Sequence, residues 1–139
     1  MDIFTTFDVS ASALKAQRIR LNTISSNLAN VETTSTPEGG PYKKKSVYFQ
    51  TKPIAFKEEL DQSIQGVEVT KIVEDQSEPK KIYDPSHPDA GEDGYVAMPN
   101  ISVIKEMVDM MSATRSYEAN TTVIKSAKRM ALKALEIGR

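Results

Sequence analysis

From Asn100 to Gly138 the chain contains no proline, and its first glycine is Gly138 itself. A run without breakers, opened by Pro99-Asn100 and closed by a glycine, predicts one long helix with Asn100 as its N-cap and Gly138 as its C-cap. At about 1.5 Å per residue such a helix reaches roughly 55 Å, too long to be the core of a chain of 139 residues. Its apolar residues recur at mixed spacings of three and four: Ile101, Ile104, Met107, Val108 and Met111, then Tyr117, Ile124, Ala127, Ala131 and Leu135. This narrow seam suits a coiled-coil-like contact better than a globular core. Either the rest of the chain or other molecules must cover it.

A second amphipathic helix is predicted from about Ile3 to about Asn30, with Asp2 as its cap. Ile3, Phe7, Leu14, Leu21, Ile24, Leu28 and Val31 follow a heptad-like series, with Ser10 and Gln17 at its two weak places. Ala11, Ala13 and Ala16 flank the seam and admit a close neighbour. The two helices are able to pair as an antiparallel hairpin, although polar residues such as Gln17, Thr114 and Asn120 interrupt a dry core.

Between them, Val31–Lys45 reads as a loop around Pro37-Glu38-Gly39-Gly40-Pro41. Strands are predicted at Ser46–Thr51, Val67–Asp75, Lys80–Tyr83 and Gly94–Met98, with Val67, Val69 and Val73 sharing a face. Residues Ala55–Gln65 fit a short helix or a loop. The fold class is therefore α+β: long N- and C-terminal helices in a coiled-coil-like axial part, with a small β-rich module inserted. The expected divisions are 1–41 for the first helix and loop, 42–98 for the β module and 99–139 for the second helix.

Composition narrows the chemistry. Lys and Arg total 18 against 19 Asp and Glu, a net charge of −1, so no strong field draws the chain to nucleic acid. With no cysteine, no tryptophan and one histidine, no His/Cys metal site can be assembled, and histidine-based acid–base chemistry would rest on His87 alone. No stretch approaches the ~20 apolar residues of a membrane span. The N-terminal MDIFTTFDVSASALKAQ lacks the basic leader and unbroken apolar run of a signal peptide. Lys43-Lys44-Lys45 reads as a solvated loop, and Asp84, Asp89, Glu92 and Asp93 as turn carboxylates. From Asp89 the EF-hand pattern fails at Gly91 and Asn100. Neither a cofactor nor an enzymatic activity is expected.

Two segments carry a resemblance: Ser26-Asn27-Leu28-Ala29-Asn30 with Thr33, and Ser112-Ala113-Thr114-Arg115-Ser116-Tyr117-Glu118-Ala119-Asn120. They resemble the terminal signatures of the bacterial flagellar rod and hook proteins. TPEGGPYKKK, HPDAGEDGYVAMPN and the ending KRMALKALEIGR extend the likeness over the full length, toward the proximal rod. The resemblance implies a structural subunit of the basal-body rod that helps transmit torque and wall the export channel. It also implies export by the flagellum's own type III apparatus, without a Sec signal, and assembly in the periplasm. The partners it implies are copies of the chain, the other rod proteins (FlgB, FlgF, FlgG) and the adaptor FliE.

Under that reading the helices stay unpaired until assembly. The expected interface residues are Leu14, Leu21, Asn27, Leu28 and Asn30 on the first helix. On the second they are Met107, Met111, Arg115, Tyr117, Glu118, Asn120, Ile124, Leu132 and Leu135. Asn27, Asn30, Arg115, Glu118 and Asn120 would fix the register between helices. A homo-oligomeric coiled-coil adaptor is the alternative, distinguished by a stable helical oligomer of a single species.

Overall fold

The computed structural model describes residues 3–53 and 64–137. Helix α1 spans Ile3–Ala29, strands β1 (Lys45–Pro53), β2 (Gln65–Glu74), β3 (Lys80–Tyr83) and β4 (Tyr95–Met98) follow, and helix α2 spans Val103–Ile137. The predicted α+β class, the two terminal helices and all four strands are present. The caps proposed at Asp2 and Gly138, and most of the ambiguous segment Ala55–Gln65, lie outside the described residues.

Helix α2 begins later than expected. Asn100 lies outside it, donating its side-chain amide to Ser77 Oγ at 3.2 Å. The Ile101 N–H turns back to the Pro99 carbonyl at 2.9 Å, and the first helical bond runs from Glu106 N–H to the Ser102 carbonyl at 3.0 Å. Ser102 therefore stands where the sequence placed Asn100. Both residue types start helices well; the tight turn at Pro99–Ile101 decides for the later one.

Helix α1 is the central layer, with α2 on one side and the β1–β2 ribbon on the other; among the described residues neither strand of that ribbon packs on α2. The two helices pair within one chain, so the expectation that they stay apart until assembly does not describe this structure. Arg20 meets Asp109 and Asn27 meets Glu106, which makes the pairing antiparallel. Small residues are buried on both helices: Ser10, Ala16 and Thr23 on α1, Ala113 and Ala127 on α2. Ser10, a weak place in the sequence seam, is among the best-covered residues, because a small side chain lets the backbones approach.

Strands β1 and β2 pair antiparallel, from Lys45 opposite Glu74 to Pro53 opposite Gln65. The register slips by one residue between Tyr48 and Phe49, leaving Thr70 without an opposite number. A bulge of this kind reverses the alternation beyond it. Accordingly Ile72, not Val73, joins Val67 and Val69 along the groove beside Ala16 and Ile19 of α1. Ser12 Oγ on α1 accepts the Val67 N–H at 3.0 Å and fixes the ribbon's height along the helix.

Strands β3 and β4 form a separate antiparallel hairpin, Lys80 opposite Met98 and Tyr83 opposite Tyr95, with Val96 buried. Gly94 has φ +73°, and a Cβ there would sit 2.9 Å from the Tyr83 ring, so glycine is required on both counts. Thr34 Oγ1 donates to Asp89 Oδ2 at 2.6 Å, tying this hairpin's loop to the segment that follows α1.

Candidate functional site

Where α1 ends and α2 begins, a polar cluster joins both helices to the intervening loop. Asn27, 1% exposed, is its centre. The Asn27 Nδ2 group donates to the Lys45 carbonyl (2.9 Å) and to Glu106 Oε2 (3.0 Å). Its Oδ1 accepts the Lys45 N–H (2.9 Å) and the Tyr42 hydroxyl (3.1 Å). All four hydrogen-bonding positions of the amide are used. Since Tyr42 directs its hydrogen at Asn27, Ser26 Oγ is the donor in its 3.2 Å contact with Tyr42. Only an amide offers two donors and two acceptors in this geometry; an aspartate would lose both donors and place a second carboxylate against Glu106.

Glu106 is 2% exposed, and Lys44 Nζ lies 2.6 Å from its Oε1. Lys44 is thus an internal counter-ion, which corrects the reading of the lysine run as a solvated loop. A buried carboxylate is tolerated because it is both paired and hydrogen-bonded. A second ion pair, Arg20–Asp109 at 3.0 Å, lies alongside, half exposed. The cleft between these pairs, α1 and β1 encloses about 140 Å³, below the ~300–1,000 Å³ of small-molecule sites. Among the described residues no group of three or more His, Cys, Asp or Glu side chains is placed to hold a metal ion.

Asn30 works one turn later. Its side-chain amide donates to the Ser26 carbonyl (2.8 Å) and its Oδ1 accepts the Thr33 hydroxyl (3.2 Å), closing the end of α1. The conspicuous polar residues of the first signature therefore act within the chain, as a latch between helix end and loop.

The opposite face of α2 is uncovered. Buried or half-buried positions follow one line, Glu106, Ala113, Asn120 and Ala127 at seven-residue spacing, with Met110, Ser116 and Ile124 between them. About half a turn around the helix lie Ile104 (77% exposed), Met107 (54%), Val108 (55%) and Met111 (56%). Arg115 and Glu118 continue that exposed face. Among the described residues α2 packs on no element but α1. Among the described residues after Ala127 only Ala131 is even half covered; Leu132 and Leu135 are 51% and 72% exposed.

The predicted interface residues thus divide. Asn27, Asn30, Leu14, Leu21, Leu28, Asn120 and Ile124 are buried or half-buried within the chain, and Met107, Met111, Arg115, Tyr117, Glu118, Leu132 and Leu135 are exposed. Glu106, Lys44 and Tyr42 were missed. The one available signal was Glu106 falling on the same seven-residue line as Ala113, Asn120 and Ala127.

Residues 7–35 match the family model described as "Flagella basal body rod protein", and residues 92–137 match "Flagellar basal body rod FlgEFG protein C-terminal". The flagellar basal-body rod protein FlgC of Bacillus subtilis is 47% identical over 150 aligned residues, covering all of both chains. The chain belongs to the FlgC family. FlgC of Borreliella burgdorferi is 44% identical, covering 99% of this chain and 98% of that one, and FlgC of Salmonella typhimurium is 43% identical over the whole of both. Membership of the FlgC family makes this a structural component of the rod of the flagellar basal body, associated there with other rod components. The two matched segments contain the latch residues Asn27 and Glu106 and the exposed row on α2. No described helix is long and apolar enough to cross a membrane.

Proposed function

We propose that this chain is a proximal-rod subunit whose α1–α2 hairpin forms the axial wall of the rod around the export channel and carries torque along it. The observation that supports the reading best is the row Ile104, Met107, Val108 and Met111, four large apolar side chains more than half exposed on the helix face turned away from α1. Covering such a side chain stabilises by roughly 1.5–3 kcal/mol, and none of the described residues does so. Neighbouring rod subunits are the natural cover.

In this proposal residues 1–41 and 99–139 form the axial core and 42–98 faces outward. FlgB, FlgF, FlgG, the adaptor FliE and further copies of the chain are its neighbours. The exposed members of the predicted set, Met107, Met111, Arg115, Tyr117, Glu118, Leu132 and Leu135, contact those neighbours. Leu14, Leu21, Asn27, Leu28, Asn30, Asn120 and Ile124 hold the shape they dock onto. The chain reaches the periplasm through the type III export apparatus.

The test is a Met107→Lys, Met111→Lys double variant. Both side chains point away from α1, so the hairpin should fold as before. Cells carrying only this variant should be non-motile, with basal bodies lacking the distal rod and hook. Normal basal bodies would refute the proposal.

A further inference from the structure

Between α1 and the β1–β2 ribbon runs a groove of about 330 Å³ whose apolar lining is Ala16 and Ile19 of α1 with Val67, Val69 and Ile72 of β2. It is open among the described residues. Ile72 is 50% exposed, and Phe49 is 39% exposed. Phe49 stands opposite Val69 and therefore on the same face of the ribbon. None of the residues lining the groove belongs to α2.

A groove of this kind accepts an amphipathic helix, with anchors at i, i+3, i+4 and i+7. The chain carries that pattern on a different side: Ile104, Met107, Val108 and Met111 fall at those spacings, each more than half exposed. The lengths agree. Ile104 to Met111 and Ser12 to Ile19 are equal runs of helix, each about 10.5 Å. Copies standing side by side in one orientation bring α2 of one antiparallel to α1 of the next, as it is within each chain. With Ile104 over Ile19 and Met111 over Ser12, one further turn puts Arg115 level with Asp8. Both are exposed, and neither makes an ion pair among the described residues. The other charges raise no conflict. Lys52 and Glu68 already pair with each other at 3.3 Å, and Glu118 falls level with uncharged Thr5. Lys15, exposed on the rim, lies level with Val108 and carries its ammonium out to water on its apolar stem.

We propose that the exposed row of α2 seats in the α1–ribbon groove of a second copy of this chain, a side-by-side contact between unlike surfaces. This rests on the rod-subunit reading and deepens it by naming what covers the row. It also makes the β1–β2 ribbon part of the contact. Heterologous contacts of this kind build rings or helical assemblies.

The experiment places a photo-cross-linking residue at position 72 of the full chain in cells lacking the native copy, and maps the products in purified basal bodies by gel and mass spectrometry. Expected is a dimer-sized product that joins position 72 to the segment 104–111 of a second copy. A link to residues 54–63 of the same chain, to a different component, or to nothing overturns the inference and leaves the rod reading standing. Charge reversal checks the register without a bulky probe. Asp8→Arg and Arg115→Asp should each lower recovery in basal bodies about fivefold, and the two together should restore it. Single reversals without effect, or a pair that restores nothing, would overturn the inference too. Absence of the unsubstituted chain from basal bodies would defeat the rod reading itself.

Discussion

The Asn27 side chain ties α1 to the loop, to β1 and to α2 at once. With the amide removed, the Lys45 N–H and carbonyl, the Tyr42 hydroxyl and a Glu106 oxygen lose their partner in a site with almost no access to water. Stranding a buried polar group costs about 1–3 kcal/mol, so Asn27→Ala should destabilise the chain by on the order of 3 kcal/mol, read as a lowered urea midpoint. An unchanged midpoint would mean that the latch adds nothing. A milder device acts at Asp84, whose carboxylate accepts the Ser86 hydroxyl at 2.6 Å and the Ser86 N–H at 3.1 Å. These bonds hold its pKa below the usual 3.8. A carboxyl depressed by folding contributes stability above its unfolded pKa and loses it as pH falls through the folded value. The bracing that Asp84 gives the β3–β4 loop should therefore be complete well above the usual 3.8 and be lost only below it. Amide shifts at Ser86 would report this, and Ser86→Ala should move the transition upward.

At the scale of elements, both helices and all four strands were legible, since breaker-free runs and β-branched clusters are local signals. What the sequence left unresolved was which side of α2 meets which neighbour. Met111 and Ala127 read alike as seam, yet one is 56% exposed and the other 1%. Helical spacing fixes relative angle only; the partner fixes the zero. Lys44 was read as solvated because its counter-ion, Glu106, is sixty-two positions away along the chain. The Thr70 bulge was hidden for a similar reason, since register belongs to a pair of strands. The two faces of α2 should respond differently to change. Ala113→Leu overfills a closed contact and should cost about 1–3 kcal/mol, with a lowered melting temperature. Deleting Leu132–Arg139 removes side chains that, over the described residues 132–137, are already exposed, and it should leave the melting temperature nearly unchanged while abolishing rod assembly. Assembly of normal rods from the truncated chain would show that the end of α2 is not an assembly surface.

The molecule as a whole is built with its largest apolar side chains on the outside. Its accessible surface is 10,312 Å² for 15.4 kDa, where a compact monomer of that mass exposes roughly 7,200 Å². The buried contacts among the described residues are made largely by Ala, Ser, Thr and Asn, which gives the isolated subunit modest stability and leaves the large side chains for neighbours. Hydrogen exchange of the free chain should accordingly find the strongest helical protection near Asn27 and Ala113 and the weakest beyond Ala127. The central claim, that rod neighbours cover the exposed face of α2, is tested most directly by cysteine accessibility in the two states. Met107→Cys and Leu135→Cys each introduce the single thiol of the chain, and a maleimide should label both rapidly in the free subunit. In purified basal bodies both should become resistant to labelling, by about tenfold or more if a closed apolar contact covers them. Equal labelling of the free and assembled chain at both positions would contradict the account.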